Sequence, residues 1–398
     1  MEIRKISDKE RHALMELYRY AYTKWSDQDI KDEQLEEIIA EETLGLFEKG
    51  RLLSSLRVHD FQQSVRGVLK ECGGIAGVAT YPEARRQGYI RNLMQDAFKL
   101  MHSQGQSVSM LDPFKPSFYA QFGFVSANAP YLVEAPLKQL RPAKIEKKEK
   151  NWTYEHVRAV DAKERFLSFV REVGPTQHHG YVVYKSIPDG MWKLLMKDSL
   201  VVFIKHNGKI QAASRYYIKG ERVNRRWHAT MTVIEMLWRT REARERLLDF
   251  FSKHYDQIHD IVIHAPFDIS VEHWFEDARL TIERKNPWMV RVIDVIKATE
   301  NLPSIGEETI TIEITDADCP WNNGVFSMQS HKNQLRLAKS SGNPVVKATI
   351  EAFTSLVFGT LPFAEITFQG GLTFTAEWAR DILQSWFHPI PLYNVLYF

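Results

Sequence analysis

Apolar and polar positions predict a mixed α/β unit in the first 140 residues. A capping-box pair, Ser7 and Glu10, precedes a helix with apolar positions from Leu14 to Ala21. The same periodicities predict further elements: an edge strand at 3–6, an acidic helix at 32–42, and strands at 44–47, 52–60, 65–69, 73–80 and 108–111. Early helices and a meander that ends in a strand-loop-helix-strand unit favour one mixed sheet with helices packed on it.

Two charged or turn-rich breaks divide the rest of the chain. The first is Pro142–Lys150, and the second is Asn301–Gly306. Between them the patterns predict strands at 152–157, 200–206, 211–218 and 230–238, with helices at 162–173 and 242–254. After the second break they predict strands at 309–315, 324–329, 334–338 and 345–350, with helices at 351–358 and 377–387. We therefore predict three α/β domains, at residues 1–142, 143–298 and 299–398.

Composition narrows the class of protein. The 52 Lys and Arg residues nearly balance the 50 Asp and Glu residues, so no broad nucleic-acid-binding surface is expected. The two cysteines, Cys72 and Cys319, fit a reducing compartment better than a disulfide scaffold. No apolar run is long enough to span a membrane, and the first residues lack a signal-peptide pattern. A cytoplasmic protein is expected.

The most informative stretch is the strand, loop and helix from Gly73 to Met101. Pro82 ends the strand, and the helix carries apolar residues on one face. Between them lies Arg85-Arg86-Gln87-Gly88. A loop that ends at a helix N-terminus presents free N–H groups, and a glycine there lets an anion approach closely. The pattern suits a pyrophosphate, although a basic strand-to-helix turn without a ligand fits the same residues.

This loop resembles the acetyl-CoA loop of the GNAT N-acetyltransferases, Arg-x-x-Gly-x-small, at Arg85, Gly88 and Ile90. Ile90 departs from the usual Gly or Ala, and neither a Walker loop nor a Gly-x-Gly-x-x-Gly string occurs. The resemblance implies that the Val78 N–H holds the thioester oxygen. It implies acetyl-CoA contacts from Val78, Ala79, Thr80, Arg85, Arg86, Gln87, Gly88, Tyr89, Ile90 and Arg91.

A second motif lies about thirty residues later. Tyr119-Ala120-Gln121-Phe122-Gly123-Phe124 follows a predicted strand, and it resembles the GNAT segment whose tyrosine lies beside the cofactor sulfur. A phenol with an ordinary pKa near ~10 can protonate a departing thiolate. A tyrosine that only packs within an aromatic turn is the alternative.

The middle of the chain repeats this order of elements. Val233–Leu248 contains a strand, a basic corner and a helix, but the corner has no glycine. Glu242 and Glu245 would oppose an anion at the helix start. We predict a second, degenerate GNAT-like domain that does not bind cofactor.

The last hundred residues resemble a sterol-carrier-protein domain in their strands and helices. The whole order then resembles the Eis (enhanced intracellular survival) acetyltransferases. That family implies a hexamer that acetylates amines of small molecules, aminoglycosides among them. It also implies Tyr119 as general acid and the α-carboxylate of Phe398 as general base. Without the family resemblance, the C-terminal residues fit equally well a tail that only completes a strand.

The acceptor is expected to be a cationic small amine, aminoglycoside-like or polyamine-like, with Trp25 and Asp27 as candidate contacts. No His, Cys or carboxylate set has metal-site spacing, so no metal is expected. Two alternatives stay open. The enzyme could acetylate protein lysines, or the chain could bind acyl-CoA or lipid without catalysis, through Phe353, Leu356, Phe358 and Phe363.

Overall fold

The computed structural model describes residues 1–22, 29–36, 38–127, 130–141, 151–277, 279–284 and 288–396. Twenty strands are described: β1 Glu2–Lys5, β2 Thr43–Glu48, β3 Arg51–Val65, β4 Val68–Thr80, β5 Val108–Leu111, β6 Val125–Ser126, β7 Tyr131–Pro136, β8 Trp152–Arg158, β9 Val182–Tyr184, β10 Leu200–His206, β11 Lys209–Val223, β12 Arg226–Trp238, β13 Asp260–Ala265, β14 Thr281–Arg284, β15 Met289–Val292, β16 Thr309–Thr315, β17 Gly324–His331, β18 Gln334–Lys339, β19 Val346–Thr349 and β20 Leu372–Phe374. Eleven α-helices are described: α1 Arg11–Ala21, α2 Asp32–Leu35, α3 Tyr89–Ser103, α4 Pro116–Ala120, α5 Lys163–Gln177, α6 Asp189–Met196, α7 Arg241–Ser252, α8 Val295–Thr299, α9 Ile350–Phe358, α10 Phe363–Phe368 and α11 Glu377–Trp386.

The first sheet has the strand order β1-β2-β3-β4-β5-β15-β6, and β9 pairs with the far end of β3. Its strands are antiparallel up to β4, and β4 then runs parallel to β5. α3 connects these two parallel strands, as a crossover must. Its apolar side, Leu93, Met94, Ala97, Phe98 and Met101, is completely buried.

The second sheet repeats this order. It runs β8-β10-β11-β12-β13-β7-β14, and β12 is parallel to β13 with α7 as the crossover. The third sheet has the order β18-β17-β16-β19-β20. The predicted fold, tandem GNAT-like mixed sheets followed by a smaller α+β domain, is confirmed.

The first two sheets exchange strands, which the sequence analysis did not anticipate. β7, from the first stretch of chain, pairs with β13 and β14 of the second sheet. β15, from the second stretch, lies between β5 and β6 of the first sheet. Each sheet is therefore completed by a strand from the other's segment. The predicted division of the chain after residues 142 and 298 stays a prediction.

Two predicted elements are wrong. Residues 65–69 do not form a strand, because Arg66 and Gly67 turn the chain with φ angles of +50° and +82° between β3 and β4. The turn of this long hairpin contacts residues that are remote in sequence. The Arg66 guanidinium donates to the carbonyl oxygens of Leu356 (2.8 Å) and Val357 (2.9 Å), and so satisfies the C-terminal end of α9.

The acidic helix predicted at 32–42 is the other error. Only Asp32–Leu35 is α-helical, and a single 3-10 turn follows at Ala40–Glu42. Ile38 and Ala40 are both buried, and their spacing of two residues is not that of one helical face. The described residues of this range therefore do not form the predicted continuous acidic helix.

Candidate active site

The centre of the site is a β-bulge in β4. Ser55 of β3 lies opposite Ala79, whereas Arg57 lies opposite Ala76, so Leu56 faces two residues, Gly77 and Val78. Gly77 has a φ of +58°, which favours glycine. A Cβ atom there would also lie 2.2 Å from Tyr18 Oη. Backbone conformation and close packing both require glycine at the bulge.

Beside the bulge, β4 and β5 separate. Their parallel pairing ends at Ile75 and Leu111, whereas β4 continues to Thr80. In the described part of the chain, Gly77 and Val78 have no register partner in either neighbouring strand. Backbone groups of β4 at this opening can therefore hydrogen-bond a ligand that enters between the two strands.

The loop after β4 leads into α3 with a free helix start. Gly88 is the N-cap residue with a φ of +79°, and a Cβ atom there would meet no atom within 4 Å. Arg86 also has a positive φ, +63°. Arg85, Arg86, Gln87 and Gly88 are all exposed. Glycine has no side chain that could cap the helix. The first N–H groups of α3 can therefore donate hydrogen bonds to an anion.

A cavity of about 800 Å³ joins these features. It brings together six predicted residues: Val78, Ala79, Thr80, Arg85, Ile90 and Tyr119. Arg86, Gln87, Gly88 and Tyr89 are not among its lining residues and belong to the loop and helix start next to it. Arg91 lies elsewhere, because it donates to Gln121 Oε1 (2.9 Å) and pairs with Asp318 of the third domain (3.6 Å).

Tyr119 is placed by α4 and a cluster of aromatic rings. Its own ring lies 5.1 Å from that of Phe118 and 5.6 Å from that of Phe114, and only 4% of its surface is exposed. Burial raises the pKa of its phenol to about 12, and the Asp112 carboxylate contributes in the same direction. Tyr119 therefore keeps its proton at neutral pH, as a general acid must.

The cavity has a second wall that sequence reasoning missed. It is formed by Tyr18 of α1 and by Tyr22, the C-cap residue of that helix, together with Arg57 and His59 of β3. Tyr22 Oη donates to the Val78 carbonyl oxygen at 3.4 Å. His59 Nδ1 lies 2.8 Å from Glu42 Oε2, and burial lowers the pKa of this histidine. The available sign was the pair Arg57 and His59, a cationic and a titratable residue whose spacing of two places them on one face of a predicted strand.

The remaining predicted site residues, Trp25, Asp27 and Phe398, lie outside the described residues. The tail that leads to Phe398 is described as far as Leu396. Tyr393 N donates to His179 O at 2.7 Å, and Tyr393 Oη donates to His264 O at 3.0 Å. Asn394, Val395 and Leu396 then line a narrow cavity together with Tyr184 of β9. The tail is therefore buried against the first two domains.

In the second sheet, the corresponding turn between β12 and α7 has no free helix start. β12 carries an extra residue, Ile234, at a register shift opposite Arg215 and Tyr216, much as β4 does. However, the N-cap of α7 is Thr240, whose Oγ1 accepts a hydrogen bond from Ala243 N (3.2 Å). The side chain thus takes one of the N–H groups that Gly88 leaves free in the first domain.

The described residues contain neither a metal site nor a membrane-spanning helix. No group of three His, Cys, Asp or Glu side chains among them could hold a metal ion. None of the described helices has the length and apolar composition to cross a membrane.

Comparisons with known proteins agree with this architecture. Residues 2–127 and residues 144–292 each match an acetyltransferase (GNAT) domain, and residues 292–393 match a sterol carrier protein domain. No curated protein matches the sequence.

Several solved structures share the fold over their whole length. Eis1 from Mycobacterium abscessus is 17% identical, with a TM-score of 0.80 and 100% of both chains covered. A GCN5-related N-acetyltransferase from Anabaena variabilis is 18% identical, with a TM-score of 0.84 and the same coverage. A conserved protein from Enterococcus faecalis is 20% identical, with a TM-score of 0.84, covering 100% of this chain and 99% of that one. The chain therefore consists of two GNAT acetyltransferase domains followed by a sterol carrier protein domain, and it shares its whole fold with Eis1.

Proposed function

We propose that the enzyme transfers the acetyl group of acetyl-CoA to a primary amine of a cationic small molecule in the first domain. One observation carries the proposal: the bulged backbone at Val78, which has no register partner among the described strands, and the protonated Tyr119 line the same cavity of about 800 Å³. A thioester supplies an activated acetyl group. The protein has to hold it beside a neutral amine and provide a proton for the sulfur.

The first domain fits acetyl-CoA by its backbone. The Val78 N–H would hold the thioester oxygen, and Ala79 and Thr80 continue β4 beyond the end of its pairing with β5. Arg85, Arg86, Gln87, Gly88, Tyr89 and Ile90 surround the free helix start that would take the pyrophosphate. Arg91 is the weakest of the predicted contacts because it is engaged by Gln121 and Asp318. The Thr240 cap supports the view that the second domain does not bind the cofactor.

The course of the tail supports Phe398 as the base. Leu396 lines a narrow cavity with Tyr184, and the Tyr184 ring lies 4.8 Å from that of Phe61. The Phe61 ring in turn stacks at 5.3 Å on His59, which lines the active cavity. Tyr397 and Phe398, the two residues after Leu396, can extend the chain from there by at most about 7 Å. The α-carboxylate of Phe398 would then orient and deprotonate the amine, while Tyr119 protonates the sulfur.

Aromatic side chains favour a cationic acceptor. Phe114, Phe118 and Tyr22 line the cavity, and Phe114 is 72% exposed. Ring faces attract ammonium groups, as does the Asp112 carboxylate in the same wall. Trp25 and Asp27 stay our candidate contacts for the acceptor, and a hexamer stays the proposed assembly.

The alternatives are less well supported. A protein lysine would have to enter the same cavity. A lipid tunnel among Phe353, Leu356, Phe358 and Phe363 is disfavoured because all four side chains are packed in the core, at most 5% exposed.

The test is acetyl-CoA binding by calorimetry, followed by thiol release with a panel of amines. The panel contains polyamines, aminoglycosides and a lysine peptide. We expect saturable acetyl-CoA binding and turnover with a small amine that exceeds turnover with the peptide. A well-folded protein that does not bind acetyl-CoA would refute the proposal.

A further inference from the structure

Arg57 is a buried cation in the wall of the active cavity. Only 7% of its surface is exposed, and it lines the same cavity as Val78 and Tyr119. Its position next to the bulge is direct: a Cβ atom on Gly77 would lie 3.5 Å from Arg57 Cβ. A ligand group held by this guanidinium would therefore lie in the same cavity as the proposed thioester site.

The groups around Arg57 do not neutralise it. Its electrostatic neighbours include Tyr18, Tyr22, Tyr184 and His59. Burial raises the pKa of each tyrosine and lowers that of the histidine, so all four are neutral at pH 7. The carboxylate of Glu42 lies next to His59, with 2.8 Å between Glu42 Oε2 and His59 Nδ1.

Arg57 also has an unused donor. Among the described residues, its Nε atom is buried without a hydrogen-bond partner, and no carboxylate pairs with the side chain. Burying a charge is costly unless it is paired and hydrogen-bonded. The planar fork of a guanidinium matches a carboxylate in particular. A monoanion suits this single arginine, whereas the cofactor phosphates are expected at the Arg85 end of the cavity.

We propose that Arg57 is the receptor for a carboxylate in the acceptor half of the active cavity. The proposal rests on the proposed function, because it assigns the acceptor half of that same site. Two sources could supply the group. One is the α-carboxylate of Phe398, which Arg57 would then position. The other is a carboxylate on the acceptor itself, which would make the substrate an amine that also carries an acid.

The experiment measures binding of 3-phenylpropionate by calorimetry to the full-length protein and to a protein ending at Leu396. The uncharged 3-phenylpropanamide is the matched control ligand. If the chain's own carboxylate fills the site, only the shortened protein binds the acid. If the acceptor supplies the group, both proteins bind it. In either case R57Q should weaken acid binding by about tenfold or more, and leave the amide unaffected.

Three controls keep the result interpretable. R51Q removes an exposed arginine from the same strand and should leave acid binding unchanged. Acetyl-CoA affinity within about threefold of the unmodified protein shows that R57Q is folded; if it is not, R57K, which keeps charge but loses the fork, should still weaken binding. Acid binding that is absent from both proteins, or insensitive to Arg57, overturns the proposal. Absence of acetyl transfer with intact Arg57-dependent binding would refute only the proposed function.

Discussion

Arg291 and Asp316 form a fully buried ion pair, with 2.7 Å between Arg291 Nη2 and Asp316 Oδ1. The same guanidinium donates from Nε to the Phe122 carbonyl oxygen at 2.6 Å. Phe122 belongs to the turn that follows Tyr119, and its N–H donates to the Tyr119 carbonyl oxygen. The third domain is therefore connected through one arginine to the turn that carries the proposed acid.

This arrangement predicts a large stability loss for D316N. Removing the charge leaves Arg291 buried without its anion, which costs about 3–5 kcal/mol. Chemical denaturation should show the loss. D318N is the matched control: the partner of Asp318, Arg91, lies 3.6 Å away and is 46% exposed at its side chain, so water can replace the lost partner and the stability loss should be smaller. Equal losses for the two variants would contradict a special role for the buried pair.

Replacing Tyr119 by Phe should lower kcat by about 10²–10⁴-fold, which is the usual contribution of a general acid. The KM for acetyl-CoA should change little, because the ring and its packing remain. Steady-state kinetics with Y131F as the control would measure both effects, since Tyr131 lies in β7 of the second sheet. Unchanged turnover in Y119F would remove the tyrosine from the mechanism.

Gly88→Asp should raise the KM for acetyl-CoA by at least about tenfold, because a carboxylate at the helix start repels the pyrophosphate. Gly50→Asp is a closely matched control. Gly50 has a φ of +80° against +79° for Gly88, and neither position has atoms within 4 Å of an added Cβ. The two variants carry the same backbone strain, so a KM increase in both would indicate strain rather than charge.

Adding two glycines after Phe398 moves the terminal charge without altering any described residue. We expect kcat/KM for amine acetylation to fall by at least about tenfold, because the proposed base is displaced. Acetyl-CoA affinity should be unchanged and is measured by calorimetry. An extended enzyme with full kcat/KM would show that the carboxylate has no catalytic role.

Because His178 is buried, we expect the free energy of unfolding to decrease in acid. Its ring lies 4.5 Å from that of Tyr393, and burial lowers its pKa to about 4. Because the folded pKa lies below the unfolded value near ~6.5, its neutral form contributes fully above pH ~6.5, and stability is lost as pH falls from there towards 4. The melting temperature of H178Q should therefore depend less steeply on pH than that of the unmodified protein. Parallel curves would contradict the assignment.

Local chemistry predicted the cofactor half of the site well. The strand to Thr80, the Gly88 corner, the face of α3 and the Tyr119 turn are all set by nearby residues, and the structure gathers six predicted positions in one cavity. Arg57 and His59 were missed because their importance comes from packing against α1, which is distant in sequence. The strand exchange was missed for the same reason: the sequence analysis predicts no strand at β15, and no local pattern specifies which strands lie beside it.

The exchanged strands affect how the protein is made. The edge of β5 that faces away from β4 is covered by β15, which ends at Val292. During synthesis, the first sheet therefore has an open hydrogen-bonding edge until roughly three quarters of the polypeptide has left the ribosome. Such edges promote aggregation. Neither half can mature alone, so this enzyme reaches its working form late in synthesis and as one cooperative body.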